Sequence, residues 1–167
     1  MKTVFITGTN KGLGLEFSKQ YLNEGHAVIA TCRNPDQAAE LNALHAMHPG
    51  KLTILKMDLS DEASIQRIGH DIKDRPVDIF ISNAGTATGY ASEAHLNNFG
   101  FVQSGPWIDV FRTNCVGPLL LAQVVHPNIL LGQDKKLVFI TSKPASITEN
   151  TGGAMYMNRS SRTALNQ

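Results

Sequence analysis

Three glycines near the start of the chain are spaced in a way that suits the binding of a phosphate group. A short apolar run ends at Thr7, and the glycines follow before a helical pattern begins at Leu15. Glycine permits a tight turn and a close backbone approach, and the free N–H groups of a helix start face an anion. The spacing predicts a dinucleotide-binding turn, with an ordinary strand-to-helix junction as the alternative. Its candidate residues are Gly8, Asn10, Lys11, Gly12, Leu13 and Gly14.

The elements that must position this turn alternate between strands and helices. The predicted strands are Lys2–Ile6, Ala27–Thr31, Leu52–Lys56, Val77–Ile81 and Leu137–Thr141. The predicted helices are Leu15–Glu24, Pro35–Met47, Asp61–Asp74 and Trp107–Leu131, with Ala63, Ile65 and Ile68 facing inward in the third. Continuous apolar strands that alternate with helices predict an α/β fold, a doubly wound parallel sheet (Rossmann fold) of about five strands. Right-handed crossovers give the strand order 3-2-1-4-5, with helices on both faces. Residues 86–105 are expected to form an irregular loop at the ligand-binding edge.

Composition sets limits on the class of protein. The 167 residues predict one domain, and 42% apolar and 17% charged residues are typical of a globular chain. A formal net charge of +1 gives no reason to expect nucleic acid or a membrane surface as a partner. Cys32 and Cys115 lack metal-ligand spacing and are expected to be reduced thiols, so no metal site and a cytoplasmic location are predicted.

Further motifs follow the predicted strands in order. Asp58-Leu59 comes after strand 3, and Asn83-Ala84-Gly85 comes after strand 4. Asn114 lies in the long helix, and Ser142 ends strand 5. With the glycine turn, these motifs resemble the classical short-chain dehydrogenases/reductases along the whole chain, and most closely their C-factor-like and carbonyl-reductase-like branch. The resemblance implies that Asp58, Leu59, Asn83, Ala84 and Gly85 bind the cofactor; for Asp58, capping of the next helix is the alternative.

Charge favours one nicotinamide cofactor. An acidic residue after strand 2 would hold a ribose 2′-hydroxyl and repel a 2′-phosphate. Here no carboxylate occurs until Asp36, while Arg33 and Lys11 offer positive charge. We therefore expect NADP(H) to be preferred over NAD(H), with two solvated surface cations as the alternative.

The catalytic positions depart from the pattern of the family. The resemblance implies a carbonyl-polarising serine at Ser142, an asparagine at Asn114, and a tyrosine acid followed four residues later by a lysine. In this register the tyrosine position holds Asn158 and the lysine position holds Arg162. An amide cannot supply a proton, and a guanidinium cannot change protonation state. Tyr156 stands six residues before Arg162, roughly 120° away around a helix, so it could substitute only by turning inward.

Three functions remain open at this level. The first is an NADP(H)-binding, reductase-like protein with weak or lost activity, and the second is an active carbonyl reductase that uses Tyr156 as its acid. The third is a non-enzymatic signalling or interaction protein of the C-factor type. The chain stops at Gln167, before the usual substrate-lid elements, so strand 5 is expected to expose apolar side chains. The resemblance also implies a homodimer through the long helix and a small carbonyl compound as a substrate.

Overall fold

Five parallel strands form one sheet in the order β3-β2-β1-β4-β5, which confirms the predicted fold. The computed structural model describes residues 1–87 and 95–167. The predicted loop 86–105 lies partly outside this described part of the chain. The strands are β1 (Thr3–Thr7), β2 (Ala27–Cys32), β3 (Leu52–Lys56), β4 (Ile79–Ser82) and β5 (Lys136–Phe139). Their bounds differ from the predicted ones by one or two residues at most ends, because the ends of strands carry little sequence signal.

Helices connect the strands and cover both faces of the sheet. They are α1 (Gly12–Asn23), α2 (Ala39–Met47), α3 (Glu62–Ile72), α4 (Ser104–Phe111), α5 (Gly117–Leu131) and α6 (Tyr156–Leu165). The prediction of one helix from Pro35 to Met47 is wrong. Pro35 opens a short 3-10 turn that closes when the Ala38 N–H donates to the Pro35 carbonyl, and α2 begins only after Ala38.

The alternation of side chains along the strands builds a core on each face. Val4 and Ile6 are fully buried on the face that α1 and α2 cover. Phe5 and Phe80 are fully buried on the opposite face, with ring centroids 5.7 Å apart, against α3 and α5. Both faces of the central strands are therefore covered, which explains their continuous apolar sequence. Ile65 and Ile68 face this core as predicted, whereas Ala63 is exposed and Ser64 is buried in its place.

A single long helical run crosses the second face of the sheet. It begins at Ser104 rather than at the predicted Trp107, and a π-helical segment, Arg112–Val116, joins α4 to α5. Residues 104–131 form the one described helix that is long and apolar enough to cross a membrane, and 44% of its most apolar window is buried within the protein. Leu121, Val125 and Ile129 pack in the core against α3, so this composition is that of a core helix.

Strand β5 lies at one edge of the sheet and is poorly covered. Leu137 and Val138 are 43% and 38% exposed, while Phe139 is half-buried and meets the Phe80 ring edge-on at 5.9 Å. The exposure of apolar side chains on this strand was expected. Leu137 and Val138 point to opposite faces of the sheet, so one exposed side chain lies on each face. Within the described residues, no strand pairs with the outer edge of β5.

Candidate functional site

The glycine turn between β1 and α1 has the geometry that its spacing predicted. Gly8 and Gly12 have φ angles of 71° and 61°, a left-handed region that glycine adopts without strain. A Cβ atom on Gly8 would lie 2.9 Å from the Ala84 Cα, whereas one on Gly12 would meet open space. Gly14 is enclosed, because a Cβ there would overlap the Gly8 carbonyl. Lys11 is extended and no described side chain caps α1, so its first N–H groups stay open to a ligand.

The ends of β1 and β4 are joined by side-chain hydrogen bonds. The buried Thr7 hydroxyl oxygen accepts from the Asn83 and Ala84 N–H groups at 3.0 and 2.9 Å. In return, the Asn83 amide donates to the Thr7 and Gly8 carbonyls at 3.0 and 3.3 Å. These four bonds hold Asn83 and Ala84 beside the glycine turn, so the two strand ends form one rigid wall.

The end of β2 contributes a buried hydroxyl group. The Thr9 hydroxyl donates to the Thr31 carbonyl at 3.1 Å, and that carbonyl also accepts from the N–H groups of Gly8 and Thr9. The Thr31 hydroxyl itself is fully buried and has no hydrogen-bond partner within the described part of the chain. Next to it, burial raises the pKa of the Cys32 thiol, which therefore stays protonated near neutral pH. Thr31 thus presents an unused polar atom beside the turn.

Positive charge surrounds the turn. Lys11 and Arg33 are exposed, and neither forms an ion pair with a carboxylate among the residues that the structure describes. Arg112 lies 3.4 Å from the Asp109 carboxylate, which is its neighbour one helical turn earlier. The two unpaired cations are free to meet a phosphate group.

Asp58 stands at the end of β3 and does not cap the following helix. Its Oδ1 accepts from the Ser60 N–H and hydroxyl at 2.9 and 2.7 Å. The cap of α3 is Asp61, whose carboxylate accepts from the Ala63 N–H at 3.0 Å. The helix-capping alternative for Asp58 is therefore wrong. Its carboxylate is instead fixed by the local turn, half-buried beside Leu59.

These residues meet in one groove of about 930 Å³ at the carboxyl edge of the sheet. The predicted cofactor residues that line it are Gly8, Asn10, Lys11, Gly12, Arg33, Asp58, Leu59, Asn83, Ala84 and Gly85. Leu13 and Gly14 do not line it: Leu13 is 62% exposed, and Gly14 packs α1 against the strand end. The lining residues that the sequence did not indicate are Thr31, Cys32, Met57, Ser60, Thr86, Gly105, Pro106, Asp109, Arg112 and Thr113. Half of these come from helix α4 and the π segment, and none of those five belongs to a motif named above.

Asn114 lies in the π segment and joins three parts of the chain. Its side chain is fully buried, and its Oδ1 accepts from the Thr86 N–H at 2.8 Å. Its Nδ2 donates to the Thr86 carbonyl at 2.7 Å and to the Ser161 hydroxyl at 3.0 Å. The π turn places this amide where a regular helix would not, which is a common use of π segments at functional sites. Asn114 therefore connects the loop after β4 to α6.

Ser142 and Asn158 occupy different surroundings. Ser142 is exposed and precedes a short 3-10 turn, Lys143–Ala145. The Ala145 N–H donates to the Ser142 carbonyl at 2.9 Å. Asn158 is only 8% exposed in the first turn of α6, and its carbonyl accepts from the Ser161 hydroxyl at 3.1 Å. Neither residue is among those that line the groove.

Tyr156 is the first residue of α6 and faces another cavity. This second cavity, of about 540 Å³, is largely apolar and includes Trp107 and Ile147 in its lining. The rings of Tyr156 and Trp107 lie with centroids 6.5 Å apart. Because α6 is already helical at this residue, the phenol stays on a different face from Arg162.

The Arg162 side chain lies between the ends of β4 and β5. Its Nη1 donates to the Ile140 carbonyl at 3.1 Å, and its guanidinium packs on Gly85. Burial lowers the pKa of the Arg162 guanidinium from its usual value. Within the described residues, no group of three or more His, Cys, Asp or Glu side chains could hold a metal ion.

Comparison with protein families identifies the family to which the chain belongs. The family model described as short chain dehydrogenase matches residues 2–167, nearly the whole chain. An uncharacterised oxidoreductase of Schizosaccharomyces pombe is 30% identical over 152 residues, which cover 87% of this chain and 56% of that protein. The chain spans about half to two thirds of the length of several curated relatives that it matches.

Two solved structures with similar folds contain a dinucleotide. A carbonyl reductase from Pseudomonas aeruginosa in complex with NADP has a TM-score of 0.84 and 26% identity, with 99% of this chain and 72% of that chain covered. An NADPH-bound carbonyl reductase from chicken fatty liver has a TM-score of 0.82 and 28% identity, with coverages of 99% and 67%. In both comparisons almost all of this chain superposes on part of a longer enzyme.

Proposed function

Because the chain belongs to the short-chain dehydrogenase family, we propose that it binds NADP(H) in the groove at the carboxyl edge of the sheet and has weak or no reductase activity. The proposal of NADP(H) binding rests on one observation: the glycine turn lines the same groove as two unpaired cations, Lys11 and Arg33. We propose that residues 1–167 form one dinucleotide-binding domain. Twenty residues of this chain line the groove, so binding can be tested with the chain as it is.

The residues present fit a dinucleotide. Gly8 and Gly12 form a cradle that leaves the first N–H groups of α1 open to a pyrophosphate. The buried and unpartnered Thr31 hydroxyl offers a hydrogen bond that the rest of the described chain does not use. The Asp58 carboxylate, which accepts from the Ser60 N–H, would make a polar contact with the adenosine half. These are the features expected of a site whose polar groups are completed by a ligand.

The second half of the proposal rests on the proton donor. A bound NADPH would supply a hydride to a carbonyl compound. By the family resemblance, the position of the acid holds Asn158, whose side chain is an amide that does not titrate and is 8% exposed. Arg162 stays protonated and cannot pass on a proton. Ser142 and Asn114 are retained, but no described group among these four side chains can act as a general acid.

We expect NADPH to bind more tightly than NADH because of Arg33. A guanidinium that forks onto the 2′-phosphate contributes about 1.5–3 kcal/mol, which corresponds to about 10- to 150-fold in affinity. Arg33→Ala should therefore weaken NADPH binding by this factor and leave NADH binding nearly unchanged. Isothermal titration calorimetry with both cofactors measures the difference. Arg67→Ala is the matched control, since Arg67 is an exposed arginine outside the groove.

Equal affinities for NADPH and NADH, both millimolar or weaker, would contradict the proposal. Loss of both affinities to the same extent in Arg33→Ala would assign Arg33 to the pyrophosphate or to folding. The Arg67→Ala control distinguishes these cases from a general effect of removing charge.

A second candidate function is an interaction or signalling role of the C-factor type. The exposed Leu137 and Val138 on edge strand β5 favour it, because an apolar edge strand invites a partner. Light scattering at several concentrations tests it together with the dimer that the resemblance implies. A compact monomer that binds no apolar dye at β5 would contradict this role.

A further inference from the structure

The direction in which a dinucleotide must lie follows from the sheet. In the proposed NADP(H) site, the glycine turn after β1 would hold the pyrophosphate, and Arg33 after β2 would attract the adenosine 2′-phosphate on one side of it. Because β4 and β5 lie on the other side of β1, the nicotinamide half must extend towards their carboxyl ends. These ends carry Gly85 and Ile140.

The Arg162 guanidinium lies between these two strand ends, next to Gly85 and the Ile140 carbonyl. Its Nη1 donates to the Ile140 carbonyl at 3.1 Å, just after β5. A Cβ atom added to Gly85 would overlap the guanidinium, with Cζ only 2.8 Å away and the Asn114 Oδ1 3.1 Å away. Because Gly85 has no side chain, the Arg162 guanidinium can occupy the space between the two strand ends.

The shape of the groove is consistent with this obstruction. Among the described residues, its lining includes Gly85 and Thr86 but not Ser142, Asn158 or Arg162. The Arg162 side chain forms no ion pair with a carboxylate in the part of the chain that the structure describes. Its position is set by packing and by one carbonyl rather than by a competing charge.

We infer that Arg162 closes the nicotinamide end of the groove, so that the chain recognises NADP(H) mainly through its adenosine 2′-phosphate half. This inference rests on the proposed NADP(H) site. It predicts that a nucleotide without nicotinamide, adenosine 2′,5′-bisphosphate, binds about as well as NADPH. The nicotinamide ring would then lie outside the protein.

Two measurements on the unmodified chain test this directly. Calorimetry should give dissociation constants for NADPH and adenosine 2′,5′-bisphosphate within about threefold of each other, a difference of under 1 kcal/mol. Saturation-transfer NMR of bound NADP⁺ should show strong transfer to the adenine protons and weak transfer to the nicotinamide protons. A structural role of Arg162 in α6 alone would leave both halves equally saturated.

Variants of Arg162 then open the end of the groove. Arg162→Ala should improve NADPH affinity by about tenfold or more relative to adenosine 2′,5′-bisphosphate and restore saturation of the nicotinamide protons. Arg162→Lys, which keeps the charge with a slimmer head group, should give a smaller gain in the same direction. Arg159→Ala is the control, because Arg159 lies on the same helix and lines the second cavity.

The outcomes separate this inference from the proposed function. If NADPH binds at least about tenfold more tightly than the bisphosphate and both halves saturate equally, Arg162 does not close the groove while the NADP(H) site stands. If neither ligand binds, both proposals fail. If Arg162→Ala does not fold, the affinities of Arg162→Lys and the NMR of the unmodified chain show whether Arg162 closes the groove.

Discussion

The hydroxyl of Thr7 offers a sharp test of how the groove is held together. Thr7 is fully buried, and its Oγ1 accepts two backbone N–H groups, from Asn83 and Ala84. Thr7→Val keeps the shape of the side chain and removes this acceptor. A buried donor that loses its partner costs about 1–3 kcal/mol, and both N–H groups are half-buried, so we expect a loss of about 2–4 kcal/mol.

Thr9→Val is a matched control two residues away. Thr9 is also fully buried, but its hydroxyl only donates to the Thr31 carbonyl, which keeps two other N–H donors. No buried group is left without a partner, so the expected loss of stability is about 1 kcal/mol or less. The contrast isolates the cost of leaving donors unsatisfied from the cost of deleting a hydroxyl group.

Urea unfolding followed by circular dichroism measures both variants. With a slope of about 1–3 kcal/mol per M, Thr7→Val should lower the midpoint by about 1 M or more, and Thr9→Val by clearly less. If the two variants lost the same free energy of unfolding within about 0.5 kcal/mol, the hydrogen bonds of Thr7 would not hold the strand ends as described.

Two further predictions concern pH and the remaining phenol. Although burial opposes its ionisation, N–H groups of Thr3 and Gln133, each 2.7 Å from the carboxylate, hold the pKa of Asp78 below its usual value. The stabilising effect of the Asp78 carboxylate is therefore present above the unfolded pKa of about 3.9 and is lost as the pH falls through the folded pKa. Asp78→Asn should lower the free energy of unfolding at pH 7, and its stability should approach that of the unmodified protein below about pH 4. Urea titrations at both pH values measure this difference. Tyr156→Phe should leave any NADPH oxidation over a panel of carbonyl compounds unchanged, since the phenol faces the second cavity; a loss of at least tenfold would assign the acid to Tyr156.

Much of the fold could be predicted because its signals are local. Each apolar run that ends in a glycine or an acidic residue marks a strand and its carboxyl end, and alternation with helices restricts the sheet to a parallel one. The glycine turn, Arg33 and Asp58 could be placed at one edge for the same reason, since all carboxyl ends of a parallel sheet face the same way. The prediction of a helix that starts at Pro35 was wrong, because helix propensity does not show that the chain leaves the helical conformation at the buried Ala38.

By itself, then, the sequence determined the order of the strands and the place of the glycine turn between β1 and α1. Through the family resemblance it also predicted Asn158 and Arg162 at the acid positions. Only the tertiary structure decided which side chains meet. It placed α4 along the groove, joined Asn114 to Ser161, turned Tyr156 into a second cavity, and set Arg162 on Gly85. These contacts join residues that are dozens of positions apart, and packing rather than local spacing determines them.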